Sequence, residues 1–176
     1  MENKLVRRCR LLAVVAPGVA ALLLLRALWL WVEFEQQLLP YYQAQGIRVT
    51  MENLAAWQHA AAAVVATTPL LLVCSGLVRA GRVFRLVARG ERIAVGVVRH
   101  LAAIASLVLY AALAKIPADA LVSVLLTFNN PVGERSLRLG FSSAELVGIV
   151  AAGLLWALAW TLREAVALRR ENDAFI

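Results

Sequence analysis

Charge is scarce in this chain and is withheld altogether from long stretches of it. Only 16% of the 176 residues are charged while 62% are hydrophobic. That is more apolar surface than a single soluble domain of this size can hide, and the excess comes in blocks. No Asp, Glu, Lys or Arg interrupts Leu54–Val78. At roughly 1.5 Å per helical residue, that run alone can cross a hydrocarbon core of about 30 Å. The solvent of this protein is therefore lipid.

Other scarcities bear on chemistry. The two cysteines, Cys9 and Cys74, have no ligand-like spacing, so neither a disulfide nor a metal site is expected from them. The two histidines, His59 and His100, fall near opposite ends of the membrane in the topology argued below and cannot share a metal or a proton. The chain also lacks a phosphate-binding glycine loop followed by Lys and a hydroxyl residue, an HExxH pair and a GxSxG elbow. No enzymatic activity and no cofactor are expected.

What is present reads as an all-α integral membrane four-helix bundle forming a single domain. The spans fall at approximately 11–32, 54–78, 95–118 and 145–165, with outer loops at approximately 33–53 and 119–144. Lys4, Arg7, Arg8 and Arg10 ahead of an apolar run resemble a secretory signal, but the run continues past its small residues to Val32, so an uncleaved first span is the better reading. Pro17 and Gly18 in the first span and Thr67, Thr68 and Pro69 in the second predict local bends. Ser142 and Glu145 have capping-box spacing at the start of the fourth. The third span is carried by topology. With four crossings the amino terminus, the segment 79–99 and the tail after Leu162 share one side and hold 4, 6 and 3 basic residues. The other side keeps only Arg48, Lys115, Arg135 and Arg138. The positive-inside rule then puts both termini in the cytoplasm.

Tryptophan placement agrees, with Trp29, Trp31 and Trp57 expected at the outer headgroup level and Trp156 and Trp160 at the inner one. In the outer loops, residues 47–49 and 137–141 alternate enough to pair as short strands, with irregular loop as the plainer expectation.

Few residues offer chemistry. Arg26 lies inside the first span, where an arginine at mid-membrane costs about 2.5 to 3.5 kcal/mol. It either snorkels outward, with Glu33 seven residues on as a partner, or joins Thr67 and Thr68 in an intramembrane polar site. Lys115 and Asp119 are spaced to pair on one helix face. Between spans two and three, Arg79, Arg82, Arg85, Arg89, Arg92 and Arg99 recur at helical steps opposite Val83, Phe84, Val87, Ala94 and Val98. This predicts an amphipathic basic segment along anionic headgroups. It serves as a topology anchor or as a docking surface. Small residues such as Gly148 with Ala152, Gly153 with Ala157, and Ala60 to Ala63 allow close helix packing, within one bundle or between copies.

The carboxy-terminal half, residues 80–176, resembles a YoaS-like bacterial membrane family known only as a domain of unknown function. The likeness rests on Val83-Phe84-Arg85-Leu86-Val87-Ala88-Arg89-Gly90-Glu91 and on a closing stretch that includes Leu168, Arg169, Arg170, Glu171, Asn172, Asp173, Ala174, Phe175 and Ile176. Ala174 and Phe175 depart from the Leu and Thr usual in that tail. The resemblance implies four spans, a bacterial inner membrane and a genomic neighbour that encodes a small helix-turn-helix protein.

The expected function is non-enzymatic. The basic segment and the tail, with Glu171, Asn172 and Asp173, would form a cytoplasmic or lipid-facing surface for a partner such as that regulator. The expected partners are membrane lipid and a cytoplasmic protein, with self-association left open and no direct contact with nucleic acid. The alternative is a small-molecule or ion transporter, or an accessory subunit of a membrane complex.

Overall fold

A computed structural model of the chain describes residues 2–90, 95–131 and 133–173; of residues 2, 3 and 169–173 it describes the helical backbone alone. Five α-helices follow in the order α1 (Glu2–Val32), α2 (Phe34–Ala44), α3 (Ala56–Ala88), α4 (Val95–Thr127) and α5 (Ser143–Asp173), and no strand forms among the described residues. Four of them, all but α2, are long and apolar enough to cross a membrane. The alternation at 47–49 and 137–141 gives irregular loop.

The crossing helices pack in sequence order, α1 on α3, α3 on α4 and α4 on α5, as a bundle left open between α1 and α5. Each neighbouring pair is antiparallel. Gly81 of α3 meets Ala13 and Pro17 of α1, while Cys74 donates its thiol to the Ala20 carbonyl at 3.5 Å. Gly76 faces Leu107, and Gln58 reaches Leu125. On α5, Gly148 lies 3.1 Å from Ala112 as measured from an added Cβ. The start of α1, the end of α3, the start of α4 and the end of α5 therefore share one end of the bundle, here called the terminal end. The opposite end carries the two long connections and is called the loop end.

Packing along the spans relies on small residues. Ala13, Ala20, Ala105, Ala111, Ala112, Ala152 and Ala159 are buried, whereas Leu22, Leu25, Val64, Val147, Leu154 and others point outward. This inside-out distribution suits helices whose backbones must approach closely because lipid offers no hydrophobic drive for their association. Gly148 and Ala152 lie at the α4 seam, whereas Gly153 has nothing near it and Ala157 is exposed.

The helices run past the expected spans at the terminal end, where α1 starts at Glu2, α3 continues to Ala88 and α5 to Asp173, and the loop end changes too. The loop expected at 33–53 contains α2 and a short 3-10 turn at Met51–Asn53. The third span runs nine residues past its expected end, to Thr127. The helix continues through Pro117 and past Asp119, which pairs along the helix with Lys115 inside the expected span. Among the described residues, a cluster of large buried side chains forms at the loop end, with Trp31, Phe34, Ile47, Val49, Val122 and Leu126 around Ala62. Trp31 is thus packed inside the protein at the end of α1 and not exposed there. The fold-back of α2 stacks Phe34 on it with ring centroids 5.5 Å apart.

Candidate functional site

The loop end is built on one buried amide. Gln58, fully buried in the first turn of α3, accepts from the Ala55 backbone N–H at 2.9 Å and from Asn129 Nδ2 at 2.8 Å, and donates to the Leu125 carbonyl at 3.1 Å. Asn130 extends the network by donating to the Arg48 carbonyl at 2.6 Å. Thr127 and Ser123 then accept from the backbone N–H groups of Ser136 and Arg138, both at 3.0 Å, and so strap the loop after α4 down onto that helix. Buried polar groups that are satisfied in this way fix one conformation, because leaving any of them unpaired is costly.

Against this scaffold α2, α4 and the start of α5 enclose a pocket of about 460 Å³. Its polar wall consists of Tyr42, Lys115, Asp119, Arg138 and Glu145, with Phe141 on the apolar side. Lys115 pairs with Asp119, and Glu145 takes the Ser142 N–H at 2.6 Å and the Ser142 hydroxyl in the capping arrangement expected from the sequence. Arg138 donates to the Gln45 carbonyl at 2.8 Å. Burial, reinforced by the negative charge of Asp119 and then by Tyr41, pushes the Tyr42 phenol up to about 12, so it stays a neutral donor across the physiological range. Both signs of charge line the pocket, each with a protein partner. The arrangement suits recognition of a small polar molecule more than activation of a nucleophile.

The terminal end carries the basic residues expected to form a surface. Arg82, Arg85 and Arg89 are exposed and Arg79 is half-buried, while Val83 is buried and Phe84 and Val87 are partly so. These arginines do not form an element of their own. The first three of the series belong to the same unbroken helix as the second span, and Arg89 caps it. Arg10 of α1 and Arg85 of α3 line one shallow groove with Pro17. Among the described residues both ion pairs, Arg48–Glu134 and Lys115–Asp119, lie at the loop end and none at the terminal end. Arg92 lies outside the described residues, and of Glu171, Asn172 and Asp173 only the backbone, as the last turn of α5, is described.

No side-chain hydrogen bond joins the intramembrane polar residues Arg26, Thr67 and Thr68 to one another. Arg26 is exposed on α1 and makes no ion pair with Glu33. Thr67 and Thr68 bond back to the Ala63 and Val64 carbonyls of their own helix at 2.8 and 2.9 Å. None of the three lines the loop-end pocket. His59 and His100 sit at opposite ends, as expected. The residues that sequence reasoning missed are Gln58, Asn129, Asn130 and Tyr42. The available signal was an amide at the first turn of a span and an Asn-Asn pair at the end of another.

Four antiparallel apolar helices with lipid-facing side chains and a polar network confined to one end define a multi-pass α-helical membrane protein. A family model for a protein of unknown function, DUF2975, matches residues 43–176. The chain belongs to that family, and the match takes in α3, α4 and α5 with the α4–α5 connection and the latter part of the connection before α3. No curated protein and no solved structure matches the chain.

Proposed function

We propose that this is a non-enzymatic protein of a bacterial inner membrane that holds a cytoplasmic partner at its basic terminal end. The observation that carries the proposal is the unpaired charge there: exposed Arg82, Arg85 and Arg89 beside the basic start of α1, with no ion pair among the described residues of that end. Such a surface attracts an acidic partner over roughly a Debye length of about 8 Å and fixes its register more than its affinity. The positive-inside bias supports a cytoplasmic position for it. The likeness of the tail to YoaS-like proteins supports a small helix-turn-helix regulator as the partner.

The test replaces Arg82, Arg85 and Arg89 with glutamine in the full-length chain and measures how much of the neighbouring regulator co-purifies. Loss of recovery with unchanged membrane insertion supports docking. Full recovery rejects this surface.

The loop-end pocket favours a second reading, in which the protein binds a small polar solute from the outer side as a transporter or an accessory subunit. Here Lys115, Asp119 and Tyr42 carry recognition, in place of Arg26, Thr67 and Thr68. Lys115→Ala with Asp119→Ala would abolish solute uptake under this reading and leave partner recovery intact.

A further inference from the structure

Two short helical patterns meet at the terminal end of the α4–α5 seam. On α5, Trp156, Trp160 and Arg163 recur at steps of four and three and so share a face. On α4, Val95, Val98, Arg99 and Ala102 do the same. The two faces line one cavity of about 650 Å³. Ala102 and Ala159 lie where larger side chains would close it.

Its walls set two arginines among apolar and aromatic side chains. Arg99 and Arg163, both exposed, stand near the start of α4 and toward the end of α5, and neither has an acidic partner within ion-pair distance among the described residues. Deeper along the helices the lining is Ala102, Ala159, Trp156 and Trp160, while Val95, Val98 and Val166 line it on the terminal side of the arginines. Trp156 is 49% and Trp160 75% exposed, which leaves the slot open sideways toward lipid. Two arginines beside a tryptophan-walled apolar slot match one molecular shape, a phosphate joined to an acyl chain.

We propose that this cavity is a binding site for one anionic phospholipid, such as a phosphatidylglycerol, of the leaflet at the terminal end. The phosphate sits between Arg99 and Arg163, and one acyl chain runs along Ala102 between the two tryptophans. An acidic protein segment would satisfy the arginines but leave the lateral slot unfilled, whereas a lipid satisfies both. The site is separate from the α3 arginines of the docking surface, and its test uses no cytoplasmic partner, so the two proposals stand or fall independently.

The experiment titrates the purified full-length protein, in a non-ionic detergent, with phosphatidylglycerol or phosphatidylcholine carrying brominated acyl chains, and follows tryptophan emission. Phosphatidylglycerol should quench at a lower concentration than phosphatidylcholine. Arg99→Gln with Arg163→Gln should raise its half-saturating concentration about 25-fold, about fivefold for each arginine removed. Arg99→Lys with Arg163→Lys should retain most of the preference, and Arg82→Gln with Arg85→Gln should leave it unchanged. Trp156→Phe with Trp160→Phe, which keeps both arginines, should remove the phosphatidylglycerol-specific quenching. Equal titration by the two lipids overturns the proposal, as does quenching that persists in the tryptophan variant. A helical glutamine double variant that titrates like the unaltered protein overturns it too.

Discussion

Gly81 of α3 lies directly over Pro17 of α1, so close that a Cβ on the glycine would stand 3.1 Å from the proline Cδ and 3.1 Å from the Ala13 carbonyl oxygen. The proline causes both halves of this contact. It cannot donate to the carbonyl four residues back, which is that of Ala13, and the freed oxygen needs a neighbour that approaches without a side chain. Gly81→Val should therefore destabilise the α1–α3 seam by about 1 to 3 kcal/mol through overpacking. Gly153→Val, at a site with nothing within 4 Å, is the control and should change stability by about 0.5 kcal/mol or less. Unfolding in mixed micelles by a denaturing detergent measures both.

Gln58 is the keystone of the loop end. Gln58→Leu keeps the volume but removes the partner of the Ala55 N–H and of the Leu125 carbonyl, and leaves the Asn129 amide with the Asn53 carbonyl alone. A loss of about 1 to 3 kcal/mol is expected in the same unfolding assay. Faster hydrogen exchange should appear in the connections that Asn129 and Asn130 tie down.

Tyr42 gives a pH signature. Its phenol titrates at about 12 against an ordinary value of 10.0, so the fold favours the neutral form. The stability this contributes is complete below pH 10 and is lost as pH rises through about 12. A phenolate absorbance titration should show one step near 12 that disappears in Tyr42→Phe. Asp119→Asn, which removes the second-largest cause, should move that step down.

Arg26 faces outward and has no ion pair among the described residues. Because it meets lipid or headgroups whether or not the helices are packed, Arg26→Leu should change bundle stability by about 0.5 kcal/mol or less. A larger loss in the unfolding assay would reveal a partner for this arginine within the membrane.

The second and fourth spans were legible because one is an uninterrupted apolar run, Leu54–Val78, and the other carries a clear start in the Ser142–Glu145 cap. The third was legible only through the balance of basic residues on the two sides. The full length of α4 was not. Lys115 and Asp119 read as a boundary, yet each cancels the other's charge and the helix runs on to Thr127. Helix α2 was hidden because Phe34–Ala44 mixes polar and apolar residues around Pro40 with no apolar block to mark it. Its fold-back also decides where Trp31 goes, and an isolated tryptophan near a span end looks the same whether it faces lipid or a core. The loop-end pocket was illegible for a related reason. Gln58 and Asn129 lie 71 positions apart, and only the antiparallel register of α3 and α4 brings them together.

The central claim is that the arginine-rich terminal end faces the cytoplasm and the Gln58 network faces out. Single-cysteine labelling tests it most directly, with Cys9 and Cys74 replaced by serine and a membrane-impermeant maleimide applied to intact cells. Glu52→Cys, exposed at the loop end, should label before lysis, and Arg89→Cys, exposed just past the end of α3, should label only after it. The reverse pattern, or labelling of both positions in intact cells, would contradict the account.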